Sequence, residues 1–307
     1  MSGNDDASSE VEVANTRRSH NLSDQRSDPA EAFAALSDPL RVNILRELSA
    51  HRRETDNAVV GFADLRRRVG VRDSGRFRYH LNELRDYFLK KTENGYRLTH
   101  AGVQVVAAIL AGTYTHKLSL GPVDLDSDCP FCGEPAVATY ENGVCLVACP
   151  NDHPLFQWSV PPNVAANATL LSIVDLAELL GFQAIEQALA GVCPQCYDPT
   201  DAEVVVDRPP QPVFRAACDA CGAQLAGPVA FPLLVDPGIA AFCRRHGLTL
   251  RDDHVWEFPF VSDDSIITVA NEDPLRLEFT IALDDETLLA TIDECGHVVA
   301  VDPPNGK

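Results

Sequence analysis

No apolar run in this 307-residue chain is long enough to cross a bilayer, which takes roughly 18–20 residues. The best stretch, Val103 to Ala111, falls well short, and residues 169–190 are interrupted by Asp175 and Glu178. The first residues carry Asp5, Asp6, Glu10 and Glu12 without an apolar core, so no secretory signal is expected. Arg17-Arg18 lacks the apolar stretch of a twin-arginine signal. These absences predict a cytoplasmic protein without membrane contact, whose reduced thiols favour metal ligation over disulfides. Catalytic signatures are missing too. There is no Gly-rich phosphate loop, no Gly-x-Ser-x-Gly elbow and no His-Glu-x-x-His. The carboxylates are dispersed rather than paired, and no enzyme is expected.

Lysine is nearly absent: Lys90, Lys91, Lys117 and Lys307 stand against 21 arginines. With a net charge of -20, this composition resembles that of halophilic archaeal proteins, whose acidic surfaces stay soluble in strong salt. The charge is unevenly spread. Residues 29–118 hold 15 Lys/Arg against 10 Asp/Glu, residues 119–307 hold 7 against 29, and residues 1–28 hold 3 against 6. A basic island in an acidic chain points to a polyanionic partner for the island.

What the chain does have is cysteine in pairs. Cys129-Pro-Phe-Cys132, Cys193-Pro-Gln-Cys196 and Cys218-Asp-Ala-Cys221 are two-residue spacings that let both thiolates face one tetrahedral Zn²⁺. Cys193, Cys196, Cys218 and Cys221 make a complete four-thiolate set with no open coordination position, hence structural rather than catalytic zinc. The first module offers Cys145, Cys149 and His153 to complete Cys129 and Cys132. A knuckle sits at a strand-to-turn corner, and Cys149-Pro150 has that character where Cys145, inside an apolar strand, does not. The set is therefore Cys129, Cys132, Cys149 and His153, with Cys145 in place of His153 as the alternative. Two zinc ions per chain follow. Cys243, His246, Cys295 and His297 could form a third set, but Cys243-Arg-Arg-His246 reads as a helix end and Cys295-Gly-His297 as a turn.

Residues 1–28 are polar and aperiodic, and read as a disordered tail. From Pro29 the apolar spacing is helical, with Pro39 restarting a helix. Residues 62–69 form a short helix closed by Gly70, and 74–88 a second, capped by Asp73 or Ser74. Asn94-Gly95 turns a hairpin between 89–92 and 96–99, and a helix follows over 101–114. Residues 121–128 read as a linker, 169–190 and 237–246 as helices, and 255–261, 266–270, 275–283 and 286–293 as strands. The fold class is α+β. A winged helix-turn-helix occupies 29–118, a first zinc-ribbon module plus helix 119–191, and a second module with a mainly antiparallel α/β region 192–307.

In helix 74–88, Phe77, Leu81, Leu84 and Phe88 share one stripe and must pack inward. The opposite face presents Gly75, Tyr79 and Asn82 flanked by Arg76 and Arg78. Arg bonds guanine bidentately, Asn bonds adenine, and Tyr reaches phosphate or a thymine methyl. Ser74 and Gly75 lie where a helix N-terminus meets phosphate. Arg72, Lys91, Asn94 and Arg97 add contacts before the helix and on the hairpin. Arg66-Arg67-Arg68 fits phosphate contact or a solvated basic face equally. His80 lies nearer the apolar stripe and is expected to be partly buried and hydrogen-bonded.

The segments Glu31-Ala-Phe-Ala-Ala-Leu-Ser-Asp-Pro-Leu-Arg-Val-Asn-Ile-Leu-Arg-Glu-Leu48, Asp73-Ser-Gly-Arg-Phe-Arg-Tyr-His-Leu-Asn-Glu-Leu84 and Gly95-Tyr-Arg-Leu-Thr-His-Ala-Gly102 resemble the opening, recognition helix and wing of ArsR-type winged helix regulators of the haloarchaeal branch. The resemblance covers about a third of the chain. It implies a homodimer, paired through the first and last helices of the domain, bound to double-stranded DNA. The cysteine motif of metal-sensing ArsR proteins has no counterpart in residues 62–70, so sensing there is not implied. A winged helix followed by a zinc ribbon also resembles the archaeal counterpart of initiation factor E. That makes the transcription machinery the alternative partner.

Overall fold

The computed structural model describes residues 28–55, 58–206, 212–250 and 252–302. The tail expected over 1–28 lies, apart from Asp28, outside them. The chain forms two compact units that divide between Val106 and Ala107, ahead of the boundary expected at 118/119.

The first unit contains α1 (Pro29–Ala34), α2 (Pro39–Glu54), α3 (Phe62–Val69), α4 (Ser74–Arg85), the antiparallel hairpin β1 (Leu89–Thr92) and β2 (Gly95–Leu98), and the start of α5 (His100–Ala111). The starts of α2 and α4 follow from local chemistry. Asp38 accepts the Leu40 amide at 2.8 Å ahead of Pro39, and Asp73 accepts those of Gly75 and Arg76 at 2.7 and 3.1 Å. Ile44, Leu45 and Leu48 of α2, Leu65 of α3 and Phe77, Leu81 and Leu84 of α4 are fully buried together. α4 stops at Arg85, short of the expected 88, because residues 86–88 turn and carry Phe88 into the core. The hairpin loop is Glu93-Asn94, since Gly95 already pairs with Thr92. Val60 bridges Tyr96 through both backbone bonds, at 3.0 and 2.9 Å. Only glycine fits at 95: its φ is 148°, and a Cβ there would lie 2.1 Å from the Val60 carbonyl oxygen.

The second unit has three antiparallel sheets whose neighbouring strands are consecutive in sequence. The first is β3 (Ser119–Asp128), β4 (Pro135–Glu141), β5 (Val144–Ala148) and β6 (Pro154–Ser159). α6 (Pro162–Ala165) and the long α7 (Leu170–Leu189) follow. The second sheet is β7 (Asp201–Val205), β8 (Val213–Ala217) and β9 (Gln224–Pro228), leading to α8 (Phe231–Leu234) and α9 (Pro237–Arg245). A 3₁₀ turn at Val255–Glu257 and α10 (Pro259–Ser262) precede the third sheet. It consists of β10 (Ile267–Glu272), β11 (Leu275–Leu283), β12 (Glu286–Asp293) and β13 (Val298–Asp302).

Three expectations are corrected here. Residues 121–128 are not a linker but part of β3, held to β4 across bulges that absorb Gly121-Pro122 and the acidic run. Residues 255–261 are not a strand. Val255, Trp256, Phe258, Phe260 and Val261 are all buried, so the segment lacks the alternation of a half-exposed strand, and Pro259 starts a helix instead. The division at 191/192 does not separate two compact units. A single buried cluster runs from Leu125 and Tyr140 through Ile173 and Ala177 to Phe242, Phe279 and Ile292. α7 is central to it because Ile173, Val174, Ala177, Gly181, Ala184, Ile185 and Ala188 are buried at helical spacing. No helix among the described residues is long and apolar enough to cross a membrane.

One charged side chain on α7 also faces inward. Glu178 is buried, accepts the Val255 amide at 2.8 Å and lies 3.0 Å from His254 Nδ1. The His254 ring stacks on Trp256 at 4.4 Å, and Trp256 Nε1–H donates to Ser127 at 2.9 Å, so the network ties α7 to β3. Burial opposes charge on His254, but the Glu178 hydrogen bond and the charges of Glu178, Glu257 and Asp175 outweigh it and raise its pKa. A raised folded-state pKa contributes stability that is present below the unfolded value of about 6.5 and is lost as pH rises through the folded value. The urea midpoint of the second unit is therefore expected to fall as pH is raised across that interval. The fall should be flatter in His254→Asn, and an identical profile in that variant would refute the contribution.

Candidate metal centres and nucleic-acid interface

The ends of the first two sheets of the second unit carry the cysteine knuckles. In the first, the amides of Cys132 and Gly133 donate to the Cys129 carbonyl at 3.3 and 2.8 Å, with Gly133 at φ 74°. Opposite it, the Cys149 amide donates to the His153 carbonyl at 3.2 Å and Asp152 takes φ 61°. These turns bring Cys129, Cys132, Cys149 and His153 together, their donor atoms all within 4.8 Å. The sulfurs of Cys132 and Cys149 are 3.6 Å apart, and His153 Nδ1 lies 3.5 and 3.3 Å from the sulfurs of Cys129 and Cys149. Ligand bonds of about 2.3 Å to sulfur and about 2.0–2.1 Å to nitrogen imply tetrahedron edges of about 3.8 Å between sulfurs and about 3.6 Å from sulfur to nitrogen. The spacings are those of four ligands around one ion.

Cys193, Cys196, Cys218 and Cys221 form the second cluster by the same device. Cys193 and Cys221 sulfurs are 3.7 Å apart, and Cys196 and Cys218 sulfurs 3.6 Å. The left-handed position after each pair is Tyr197 (φ 66°) in one knuckle and Gly222 (φ 73°) in the other. The backbone amide of Cys196, with that of Gln195, pulls the Cys193 thiol down to about 6. The Asp198 amide also favours the Cys196 thiolate, but burial and the three neighbouring thiols outweigh it and push Cys196 up to about 12. Four thiolates this close repel one another, and a divalent cation relieves the repulsion. In the first cluster the Asn151 side chain and the Glu134 amide lower Cys132 to about 6. Sequence spacing does not reveal Asn151, because its role depends on the turn between Cys149 and His153.

Cys145 lies elsewhere. It is fully buried within β5 in the core, and burial pushes its thiol up to about 11. Cys243, His246, Cys295 and His297 do not converge. His246 Nδ1 pairs with Asp284 at 2.8 Å, while Cys295 and His297 group with Asp293. Asp293 accepts the amides of Cys295 and His297 at 3.0 and 2.8 Å, and His297 Nε2 donates to the Leu189 carbonyl at 2.8 Å. That group is a capped turn.

In the first unit, Arg72, Ser74, Gly75, Arg76, Arg78, Tyr79, Asn82, Lys91, Asn94 and Arg97 are all exposed, while Phe77, His80, Leu81 and Leu84 are buried beneath them. Arg78 stacks over the Phe62 ring at 5.6 Å, and Asn82 Oδ1 accepts from Arg85 at 3.4 Å. Three features depart from expectation. The Gly75 amide is taken by Asp73, whose carboxyl is held below its usual range by the Arg76 and Gly75 amides, so that amide is not open to a phosphate. The arginine triplet is engaged within the unit. Arg67 pairs with Asp64 at 2.9 Å, Arg68 with Glu54 and Glu47, and Arg66 donates to the Arg72 carbonyl at 3.2 Å. His80 is buried, but its Nδ1 has no hydrogen bond and stands 3.9 Å from Asp38. Glu83 pairs with Arg41 at 3.5 Å, which offsets its charge. No ion pair among the described residues engages the side chains of Arg72, Arg76, Lys91 or Arg97.

No curated protein matches the chain. A family model described as a domain of unknown function, DUF7347, matches residues 29–109, which span the helices and hairpin just described. A second, also a domain of unknown function, DUF7351, matches residues 126–298 and so takes in both cysteine clusters and the three sheets around them apart from most of β3 and β13. Because that match spans more than half of its length, the chain belongs to the DUF7351 family.

Proposed function

We propose that this protein is a DNA-binding transcription regulator, with a winged helix-turn-helix of ArsR type as its first unit and a zinc-stapled acidic partner region as its second. The observation that carries the reading is the exposed face of α4. Arg76, Tyr79 and Asn82 stand on solvent over the buried Phe77, Leu81 and Leu84, and the hairpin adds Lys91 and Arg97, which have no ion-pair partner among the described residues. In this reading α4 enters the major groove. Arg76 and Asn82 meet base edges, Arg78 is steadied by Phe62, and Arg72, Lys91 and Arg97 hold phosphates that set the register. Phe33 on α1 and Leu110 on α5 are exposed, at 73% and 46%, and support a homodimer paired through those helices. The two clusters hold one structural zinc each.

One observation favours an adaptor of the initiation factor E kind. Phe131 and Tyr197, at the two knuckles, are exposed aromatics suited to a protein partner. Genome-wide immunoprecipitation of the tagged protein beside Arg76→Ala/Arg78→Ala separates the readings. Discrete peaks lost in the double variant are expected. Signal at every active promoter, unchanged by the substitutions, would favour the adaptor and sink the regulator.

A further inference from the structure

The second unit, rich in carboxylates, has an apolar cavity whose lining includes two arginines. The cavity, about 540 Å³, falls in the range of small-molecule sites. Its accessible lining includes Ala240, Ala241, Leu248 and Leu250 over the buried Ile239 and Phe258, together with the exposed Arg244 and Arg245 at the end of α9. This placement is notable because residues 119–307 hold only 7 Lys/Arg against 29 Asp/Glu. The two arginines differ. Arg245 lies 3.6 Å from Glu286 and packs over Phe242 at 5.4 Å. Arg244 has no carboxylate partner among the described residues. Thr249 on the wall is spent on its own turn, its hydroxyl donating to Asp252 at 2.9 Å. Cys243 is buried, which keeps its thiol neutral.

We propose that this cavity binds a small amphiphilic monocarboxylate of the medium-chain fatty acid kind. Its tail lies against the apolar wall and its carboxylate meets Arg244. A cation would face two guanidiniums, and a second anionic group deeper in the ligand would be stranded on apolar surface without a hydrogen bond. The fork of Arg244 suits a carboxylate bidentately. The site lies wholly within the second unit, so it stands or falls apart from the DNA-binding reading.

Calorimetric titration of the full, zinc-loaded chain with decanoate, decanol and decylammonium tests it. Decanoate is expected to bind saturably at one site, about tenfold more tightly than decanol, the worth of one charge-assisted contact. Decylammonium should not bind. Arg244→Ala should reduce decanoate to the level of decanol and leave decanol unchanged, with Arg244→Lys restoring part of the difference. Ala241→Trp, on the cavity wall, should abolish both. Each variant's melting temperature is compared with the parent's, and a variant that does not fold is replaced by competition between decanoate and decanol on the parent. No saturable decanoate binding, equal binding of all three amphiphiles, decanol and decanoate that fail to compete, or an unchanged decanoate affinity in folded Arg244→Ala overturns the proposal.

Discussion

Stripping metal from the purified protein is expected to melt β7–β9 and lower the stability of the second unit, and to leave the unfolding transition of the first in place. The physical reason is the distribution of ligands. Residues 28–106 contain no cysteine, and their core of Ile44, Leu45, Phe77 and Leu81 needs no metal to close. In the second unit the knuckles are turns held at the sheet ends by four donors each. The two clusters should not respond equally. β3–β6 pack on the unit's main core through Tyr140, Cys145 and Val147. β7–β9 share a smaller cluster with the end of α7, in which Phe214 is the one large fully buried side chain among the described residues. Structural zinc contributes about 10–16 kcal/mol of apparent free energy in isolated small zinc peptides, and less where a core already holds the fold. Cys218→Ser should therefore melt β7–β9 and lose one of two zinc ions, whereas Cys132→Ser should lose its zinc and leave the sheet assembled. Cys145→Ser should keep both. Elemental analysis and hydrogen exchange read these outcomes, and full zinc retention in Cys218→Ser would refute the second site.

On DNA fragments recovered by immunoprecipitation, Arg76→Ala should weaken specific binding by about 1–3 kcal/mol, roughly 5- to 150-fold, and relax discrimination at one base pair. Lys91→Ala should act differently. It would weaken binding to all sequences alike and lower the salt slope by about 0.9, the share of one released counterion. Arg67→Ala is the informative control. Arg67 is paired with Asp64, so its loss should change neither affinity nor slope appreciably. Fluorescence anisotropy at several salt concentrations distinguishes the three. If Arg76→Ala and Arg67→Ala behave alike, α4 does not read bases.

Much of this was legible before any coordinates. The limits of α3 lie at Gly61 and Gly70, and β11 and β12 occupy the expected 275–283 and 286–293, because their apolar residues alternate and Asp284-Asp285 supplies the turn. The second cluster followed from two Cys-x-x-Cys pairs. Burial of Phe77, Leu81 and Leu84 followed from helical period alone. Other parts were illegible for identifiable reasons. β3 was hidden by Gly121-Pro122 and alternate acidic residues that pattern like a linker but sit on a bulged edge strand. β13 (Val298–Asp302) is too short and too close to the chain's last residues to stand out. Residues 255–261 have the composition of a strand and become helical turns because both faces are buried.

The sequence by itself determined the elements of the first unit, the inward stripe of α4 and the cysteine pairing within each knuckle, since all three rest on contacts a few residues apart. Tertiary structure decided whatever depended on distant partners. It grouped His153 with Cys129 and Cys132, as the Cys149-Pro150 corner predicts, and turned the alternative, Cys145, into the core within β5. It withdrew Arg68 from the free cations by setting Glu47 and Glu54 beside it, whereas Arg67 pairs with Asp64 one helical turn away, and no ion pair among the described residues engages Arg76, Lys91 or Arg97. Short-range chemistry is written in spacing, but which charges remain unneutralised depends on what the fold packs next to them.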